Sequence, residues 1–328
     1  MLYDERIGVS IVCVSYNHEK YIAKMLDSLI CQRTTFNYEI LIHDDASTDN
    51  TQQIISRYAK AYPQLIKPIL QTENQYSKGI NPNMTFNYPR VQGKYVAFCE
   101  GDDYWANPEK LQSQFEIMET HPKCSICVHE TQCVSPDGEP IRQKFPPINV
   151  KEHIIEKRRY LEYELKRGLW MFQTSSYFIR SEIIRNYMSN YNNQYPVGDM
   201  PMVFYALQYG DCYYIPRVMS CYRTQSGGVM SSLNNRRKHI QFQKKMIEGH
   251  QNFDAKTRYV DHDLFEYAEK RHEVSILLLE KKYRKIAAPR YKEILNRMSV
   301  KRKAIIMLGY FFPERADKLE RFRHGWSE

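Results

Sequence analysis

Residues 95 to 105 read YVAFCEGDDYW, so Glu100, Asp102 and Asp103 fall within four positions at the end of an apolar run. Crowded carboxylates are hard oxygen donors, and the partner they suit is a hard divalent cation, Mg²⁺ or Mn²⁺. Such ions keep few protein ligands and complete their shell with substrate phosphates. The competing reading is a solvated polar loop after a strand. Asp44 and Asp45, in HDDASTDNT, also end an apolar run. Taken alone, those two carboxylates cap the helix that follows. The surrounding elements decide between the readings.

The run IGVSIVCV (7–14) is β-rich and reads as a buried strand. After the loop SYNHEKY, Ile22, Met25, Leu26, Leu29 and Ile30 fall at helical spacing. YEILIH is a second strand, and TQQIISRYAKAY is a helix that stops before Pro63. IKPIL and KYVAFCE are further strands, separated by a polar loop rich in Asn, Gly and Pro. NPEKLQSQFEIMETHP is a helix with Asn107 as N-cap and Pro108 at its first position. Strand and helix thus alternate over about the first 120 residues, which predicts an α/β fold with a mostly parallel sheet and helices on its faces. In such sheets ligands bind beyond the carboxyl ends of the strands. SYN, DDAS and EGDD all fall on that edge, so separate loops converge on one cleft.

The second half is less regular. CSICVH and QTSSYFIRSEII contain strands, KEHIIEKRRYLEYELKRG reads as a charged, exposed helix, and CYYIPRVMSCYR returns as strands. From Ser231 onward the period is helical and the surface basic.

Composition narrows the function. The chain has 328 residues, is 42% hydrophobic and carries a formal net charge of +9, which favours an anionic partner. Nucleic-acid binding would explain the charge but not the strand-end carboxylates. Neither GxxxxGK[ST] nor GxGxxG occurs, which excludes the standard phosphate-loop and dinucleotide fingerprints. The N-terminus shows no basic region followed by an apolar core, so the expected compartment is the reducing cytosol, with free thiols. His121, Cys124, Cys127, His129 and Cys133 cluster, but CSICV also reads as strand and no second pair follows at zinc-finger spacing.

The order SIVCVSYNHEKYI, EILIHDDASTDNT, GKYVAFCEGDDYW and VGDMPM resembles the inverting family 2 glycosyltransferases of the GT-A (Rossmann-like) fold, of the bacterial surface-polysaccharide type. The resemblance spans roughly residues 7 to 228. It implies that Ser15, Tyr16 and Asn17 line a nucleotide pocket, largely through backbone contacts. Asp44 or Asp45 would accept a hydrogen bond from the base, typically uracil N3–H. Lys78 would approach the nucleotide. Glu100, Gly101 and Asp102 stand at the family's DxD position, here ExD. Asp102 would bind the Mn²⁺ or Mg²⁺ that bridges the diphosphate, Glu100 would contact the ribose or a metal-bound water, and Asp103 would support the sugar or the metal's shell. Trp105 would wall the pocket and Trp170 would be an acceptor platform. Asp199, in VGDMPM, would be the general base of a single displacement at the anomeric carbon; taken alone, it is a helix N-cap. Relatives often carry His in the loop after the last strand, where this chain has Gln225 in YRTQSGG. That puts a metal ligand from this loop in doubt and makes Arg223 the candidate partner of the diphosphate.

The expected organisation is a catalytic domain over 1–230 and a helical, basic C-terminal extension over 231–328. The expected function is metal-dependent transfer of a sugar from a nucleotide-sugar, UDP-linked, to a hydroxyl of a glycan or lipid-linked glycan. Two alternatives compete with it: a sugar nucleotidyltransferase, which should carry a Gly-rich basic loop where SYNHEKY stands, and a non-catalytic binding module of the same fold. In the tail, KRKAIIMLGYFFP sets an apolar stretch beside Lys301, Arg302 and Lys303. It suits peripheral contact with the inner face of an anionic plasma membrane, or docking on the catalytic domain or on a second subunit in a homodimer.

Overall fold

The computed structural model describes residues 7–190, 195–224 and 235–312. The chain divides into two compact units. The first is Met1–Tyr160 with Leu169–Asn192 and Gly198–Thr224, and the second is Leu161–Gly168 with Asn193–Val197 and Gln225–Glu328.

The first unit holds a mixed sheet of strands β1 (Ile7–Ser15), β2 (Asn37–Asp44), β3 (Ile66–Leu70), β4 (Tyr95–Phe98), β5 (Tyr104–Trp105), β6 (Cys124–Val134), β7 (Pro140–Phe145), β8 (Ile154–Ile155), β9 (Phe178–Arg180) and β10 (Asp211–Arg223). The order is β3-β2-β1-β4-β9-β6-β10-β5, with β7 on β6 and β8 on β10. The helices are α1 (Ile22–Ile30), α2 (Thr51–Ala61), α3 (Lys110–Thr120), α4 (Lys157–Leu161), α5 (Ser181–Asn190) and α6 (Asp199–Ala206). Val9, Ile11 and Cys13 of β1 pack with Ile22, Met25, Leu26 and Leu29 of α1 in one buried cluster. The apolar period of α1 therefore faces the sheet, as its spacing requires.

The block β3-β2-β1-β4 is parallel. Ser15 pairs with Asp44 and Val12 with Phe98, which brings the carboxyl ends of β1, β2 and β4 to one edge. Beyond β4 the sheet departs from a parallel pattern. β9 inserts antiparallel between β4 and β6, and β10 then runs parallel to β6. CYYIPRVMSCYR is one strand and not several. Pro216 offers no N–H to the ladder, and the register shifts between Ile215 and Val218 without ending the strand.

The segment expected as an exposed charged helix is different. It forms β8, the short α4 and a π-helical turn, Glu162–Lys166. Tyr160, Leu161, Tyr163 and Leu165 are buried. Those apolar residues recur at helical spacing among the charges, and burying them outweighs the exposure that the charges favour.

The second unit holds α7 (Arg236–Lys256), α8 (His262–Leu279), α9 (Tyr283–Ile286), α10 (Lys292–Arg297) and α11 (Val300–Phe311). The turn at 162–166 packs on α8, which is why that stretch belongs here although it precedes the helices by some seventy residues. Tyr267, Val274, Tyr283, Ile286, Tyr291, Ile294 and Ile306 form a small core. A buried polar chain runs through the same unit. Tyr195 Oη lies 2.8 Å from His250 Nδ1, His250 Nε2 lies 3.3 Å from His272 Nε2, and His272 Nδ1 bonds Gln243 Oε1. With the Gln243 oxygen as acceptor, His272 is protonated at Nδ1. His250 must then donate from Nε2 and accept from Tyr195. Burial, and next the charge of Arg271, push His250 down to about 3 and His272 well below the usual histidine range.

Candidate active site

The loop after β1 is stitched to the loop after β2. Asn17 has φ 56° and Ala46 φ 63°, both left-handed. This backbone lets Asn17 N–H donate to Ser47 Oγ at 2.8 Å while Asn17 Oδ1 accepts from Thr48 N–H at 2.8 Å. His18 N–H donates to Thr51 Oγ1 and Glu19 N–H to Asp49 Oδ2. Of the three residues in SYN, Ser15 is buried with its Oγ on Asp44 Oδ2 at 3.0 Å, and Tyr16 is exposed.

The two adjacent aspartates separate by their partners. Asp44 accepts from Ser47 N–H and Gln52 Nε2 on one oxygen, and from Ser15 and Ser47 hydroxyls on the other. Four donors fill the roughly four acceptor sites of a carboxylate. Asp45 accepts one backbone N–H on each oxygen, from Gln75 at 2.8 Å and Tyr76 at 3.0 Å. Acceptor capacity for a base therefore remains on Asp45 and not on Asp44. The same two bonds fix the turn Tyr76–Lys78, where the Lys78 ammonium pairs with Glu73 on the surface.

The acidic turn after β4 folds back on the first loop. Gly101 N–H donates to Val14 O at 2.9 Å, and Asp103 N–H to Glu100 O at 3.1 Å. A Cβ at Gly101 would lie 2.5 Å from His18 Nδ1 and 3.1 Å from Ser15 Cβ. Only glycine permits that approach. His18 Nδ1 is itself buried without a hydrogen-bond partner, so a side chain absent from the sequence reading stands against the turn.

Glu100 is pushed up to about 8, first by burial and then by the charges of Asp102 and Asp199. Asp199 opens α6. Its Oδ2 accepts from Thr174 Oγ1 at 2.9 Å and its Oδ1 from Met200 N–H at 2.9 Å. Burial holds its pKa above the usual carboxylate range, and the Thr174 hydroxyl pulls it back. Tyr88 is a buried phenol donating to Met202 Sδ at 3.3 Å, raised by burial and then by Glu100 and Asp199. Tyr222 is pushed up to about 12 by burial and by Asp103, Asp102 and Asp199 among its neighbours. Glu100, Asp102, Asp199, Tyr88, Thr174 and Tyr222 thus share one electrostatic neighbourhood at the carboxyl edge of the sheet. Thr174, Tyr88 and Tyr222 carry no motif. The available signal for Tyr222 was strand alternation, which sets it on the face opposite Arg223.

The remaining expected site residues differ in their surroundings. Trp105 belongs to the buried core. Ser220 of β10 pairs with it, Ser28 Oγ accepts its N–H at 3.0 Å, and the buried Lys110 ammonium stands 3.9 Å from its ring centroid. Burial pushes that lysine down to about 7. Arg223 is 4% exposed. Its Nε donates to the Asp102 carbonyl at 3.0 Å and its Nη1 to the Ser135 and Pro136 carbonyls at 3.2 and 2.7 Å. The guanidinium also lies 4.4 Å from the Tyr21 ring centroid. It holds backbone rather than presenting itself to a diphosphate. Asp103 accepts the Arg223 backbone N–H at 2.9 Å, and burial followed by Asp102 keeps it well above the carboxylate range. Trp170 is half-buried, with an indole N–H that has no hydrogen-bond partner, four residues before Thr174. Gln225 lies outside the described residues.

Among the described residues no three His, Cys, Asp or Glu side chains form a ready-made metal cage. The acidic turn offers hard carboxylate oxygens that would suit a divalent cation, and burial, followed by the charges of Asp102 and Asp199, disfavours the Glu100 anion in a way that a positive charge would relieve. The eight cysteines are free thiols, and Cys124 and Cys127 are buried in β6.

An uncharacterized protein of Mycobacterium tuberculosis is 35% identical over 235 residues, 70% of this chain and 63% of that protein. The chain therefore spans less than two thirds of that relative's length. The Escherichia coli UDP-Glc:alpha-D-GlcNAc-diphosphoundecaprenol beta-1,3-glucosyltransferase WfaP is 35% identical over 112 residues, 34% of this chain and 41% of that one. The crystal structure of S. aureus TarS 1–349 in complex with UDP-GlcNAc superposes with a TM-score of 0.55 at 19% identity, covering 95% of this chain and 84% of that chain. That likeness gives the fold, the GT-A arrangement of sheet and helices with C-terminal helices after it. The glycosyl transferase family 2 profile matches residues 10–187. The chain belongs to that family.

Proposed function

We propose that the chain transfers a sugar from a UDP-linked donor to a hydroxyl of a glycan acceptor, with inversion at the anomeric carbon. The observation that carries this reading is the convergence of Asp199 with Glu100 and Asp102 at the carboxyl edge of the parallel strands. Asp199, held by Thr174, takes the proton of the acceptor hydroxyl as its oxygen attacks the anomeric carbon. The bond from that carbon to the diphosphate breaks, and the nucleoside diphosphate leaves with the electron pair. Asp102 and Glu100 would hold a divalent cation. When bound, it supplies Lewis-acid stabilisation of the departing diphosphate. Asp45 accepts from the base, and Tyr16 and Asn17 border the nucleotide.

The donor class is supported by the UDP-GlcNAc bound to TarS. A lipid-linked acceptor is supported by the name of WfaP, whose acceptor carries diphosphoundecaprenol. Assembly of a bacterial surface polysaccharide at the cytoplasmic face of the membrane is the setting that unites the two. Among the described residues no helix is long and apolar enough to cross a membrane.

Calorimetric titration with UDP, GDP and TDP, with and without Mn²⁺, and again on Asp102→Ala, tests the reading. UDP binding that requires both the metal and Asp102 is expected. Absence of metal-dependent binding for every nucleotide would leave a non-catalytic module of the same fold.

A further inference from the structure

The positive charge of the chain is concentrated. Residues 281–312 carry ten Lys and Arg against the single Glu293, an excess of nine that equals the formal net charge of the whole chain. These residues include α9, α10 and α11. One face of α11 is docked, with Ile306 buried and Gly309 so close to Tyr283 that a Cβ there would lie 2.5 Å from its ring.

The opposite face is exposed. Val300 is 83% exposed, Met307 64% and Phe311 65%, and Phe312 follows at 54%. Positions 300, 304, 307 and 311 fall on one helical stripe, and Ala304 is exposed with them. By the same geometry Lys301 and Lys303 flank that stripe on either side. Single exposed apolar side chains are ordinary, but a stripe of large ones rimmed by cations marks an interaction surface.

We propose that α11 is a peripheral docking element for an anionic lipid bilayer, lying in the interface with Met307, Phe311 and Phe312 at the acyl boundary and the basic residues at the phosphates. Twelve residues make a helix of about 18 Å, enough to lie in the surface and too short to cross it. The lysine stems reach past the apolar stripe to the headgroups. A nucleic acid would match the charge but leave the apolar stripe without a partner. A second copy docked stripe to stripe would bring Lys301 and Lys303 against their own kind, which like-charge repulsion opposes. The assignment deepens the reading above, on which it rests for the lipid-linked acceptor, and it is tested without turnover.

The full chain is sedimented with vesicles of phosphatidylcholine alone and with vesicles that also contain phosphatidylglycerol. Parallel samples carry Met307→Ser with Phe311→Ser, or Lys301→Gln with Lys303→Gln. Binding only to the anionic vesicles, weakened roughly tenfold or more by either pair and by added salt, is expected. Thermal melting and UDP affinity should stay as in the parent chain, which shows that the variants fold. Equal binding to both vesicle types, no binding, or binding that neither pair changes would overturn the proposal. So would concentration-dependent self-association of the parent that the Ser pair abolishes, because the stripe would then join two copies. Vesicle binding without UDP binding would overturn the catalytic reading and leave the surface standing. UDP binding without vesicle binding would do the reverse.

Discussion

The backbone N–H of Arg223 donates to Asp103 Oδ1 at 2.9 Å, tying the last residue of β10 to the acidic turn. The side chain continues the tie through the Asp102, Ser135 and Pro136 carbonyls. Arg223 is therefore a positioning residue for Asp102. Arg223→Lys keeps the charge over Tyr21 but cannot reproduce the planar fork. We expect it to fold and to weaken Mn²⁺-dependent UDP binding. Arg223→Met should also lower stability, by about 1–3 kcal/mol for each buried carbonyl left unpaired. Calorimetry with denaturant unfolding separates the two effects. Unchanged UDP affinity in the lysine variant would refute the positioning role.

Asp199→Asn should lower kcat by roughly 10²–10⁴ and leave UDP affinity nearly intact. The Asp199 pKa is raised by burial, so activity should fail on the acid side at a pH above the ordinary carboxylate range. Thr174→Val removes a donor that favours the ionised form, and it should move that acid limb further up. A pH–kcat profile of both chains decides. An acid limb at the same pH in both would exclude Asp199 as the titrating base.

Gly101→Ala should cost about 1–3 kcal/mol through overpacking and weaken nucleotide binding. Its nearest obstacle is the His18 ring, at 2.5 Å from the new methyl. Adding His18→Ala to the same chain should recover part of the loss. Thermal melts of the two single variants and the double variant measure the coupling. Strictly additive losses would show that the turn and the His18 ring do not meet.

His250 and His272 are held neutral in the folded chain below the usual pKa of 6.5. Below that pH the unfolded chain binds more protons, so stability falls as pH drops, by about 1.4 kcal/mol per pH unit for each such histidine. His262, exposed and raised by Asp254, opposes part of this trend. Denaturant midpoints between pH 7.5 and 5.5 should decline more steeply in the parent than in His272→Gln. Parallel slopes would contradict the neutral pair.

The edge on which the acidic loops converge was legible because strand–helix alternation fixes which ends of β1, β2 and β4 coincide. The order beyond β4 was not, because pairing of β9 with β4 and β6 is a long-range choice that no local pattern encodes. Asp44 and Asp45 look alike in the chain and differ only in the donors that other loops bring. Trp105 is a pocket wall only by the family resemblance. The pairing of Ser220 with it, and the ammonium of Lys110, draw it into the core. Thr174 and Tyr88 reach the site from segments without a signature, and only the folded chain sets them beside Asp199.

The stitched loops and the acidic turn differ in readiness. Asn17, Ser47, Thr48, Thr51 and Asp49 lock two loops together, so ordering them is part of folding and adds no entropic penalty when a nucleotide arrives. Glu100 has the opposite character, since its negative charge stays unfavourable until a counter-charge comes. Under the proposed function, a metal–nucleotide complex would meet a rigid seat for the base beside a frustrated one for the phosphates. Its binding should raise the melting temperature by more than the same nucleotide does alone.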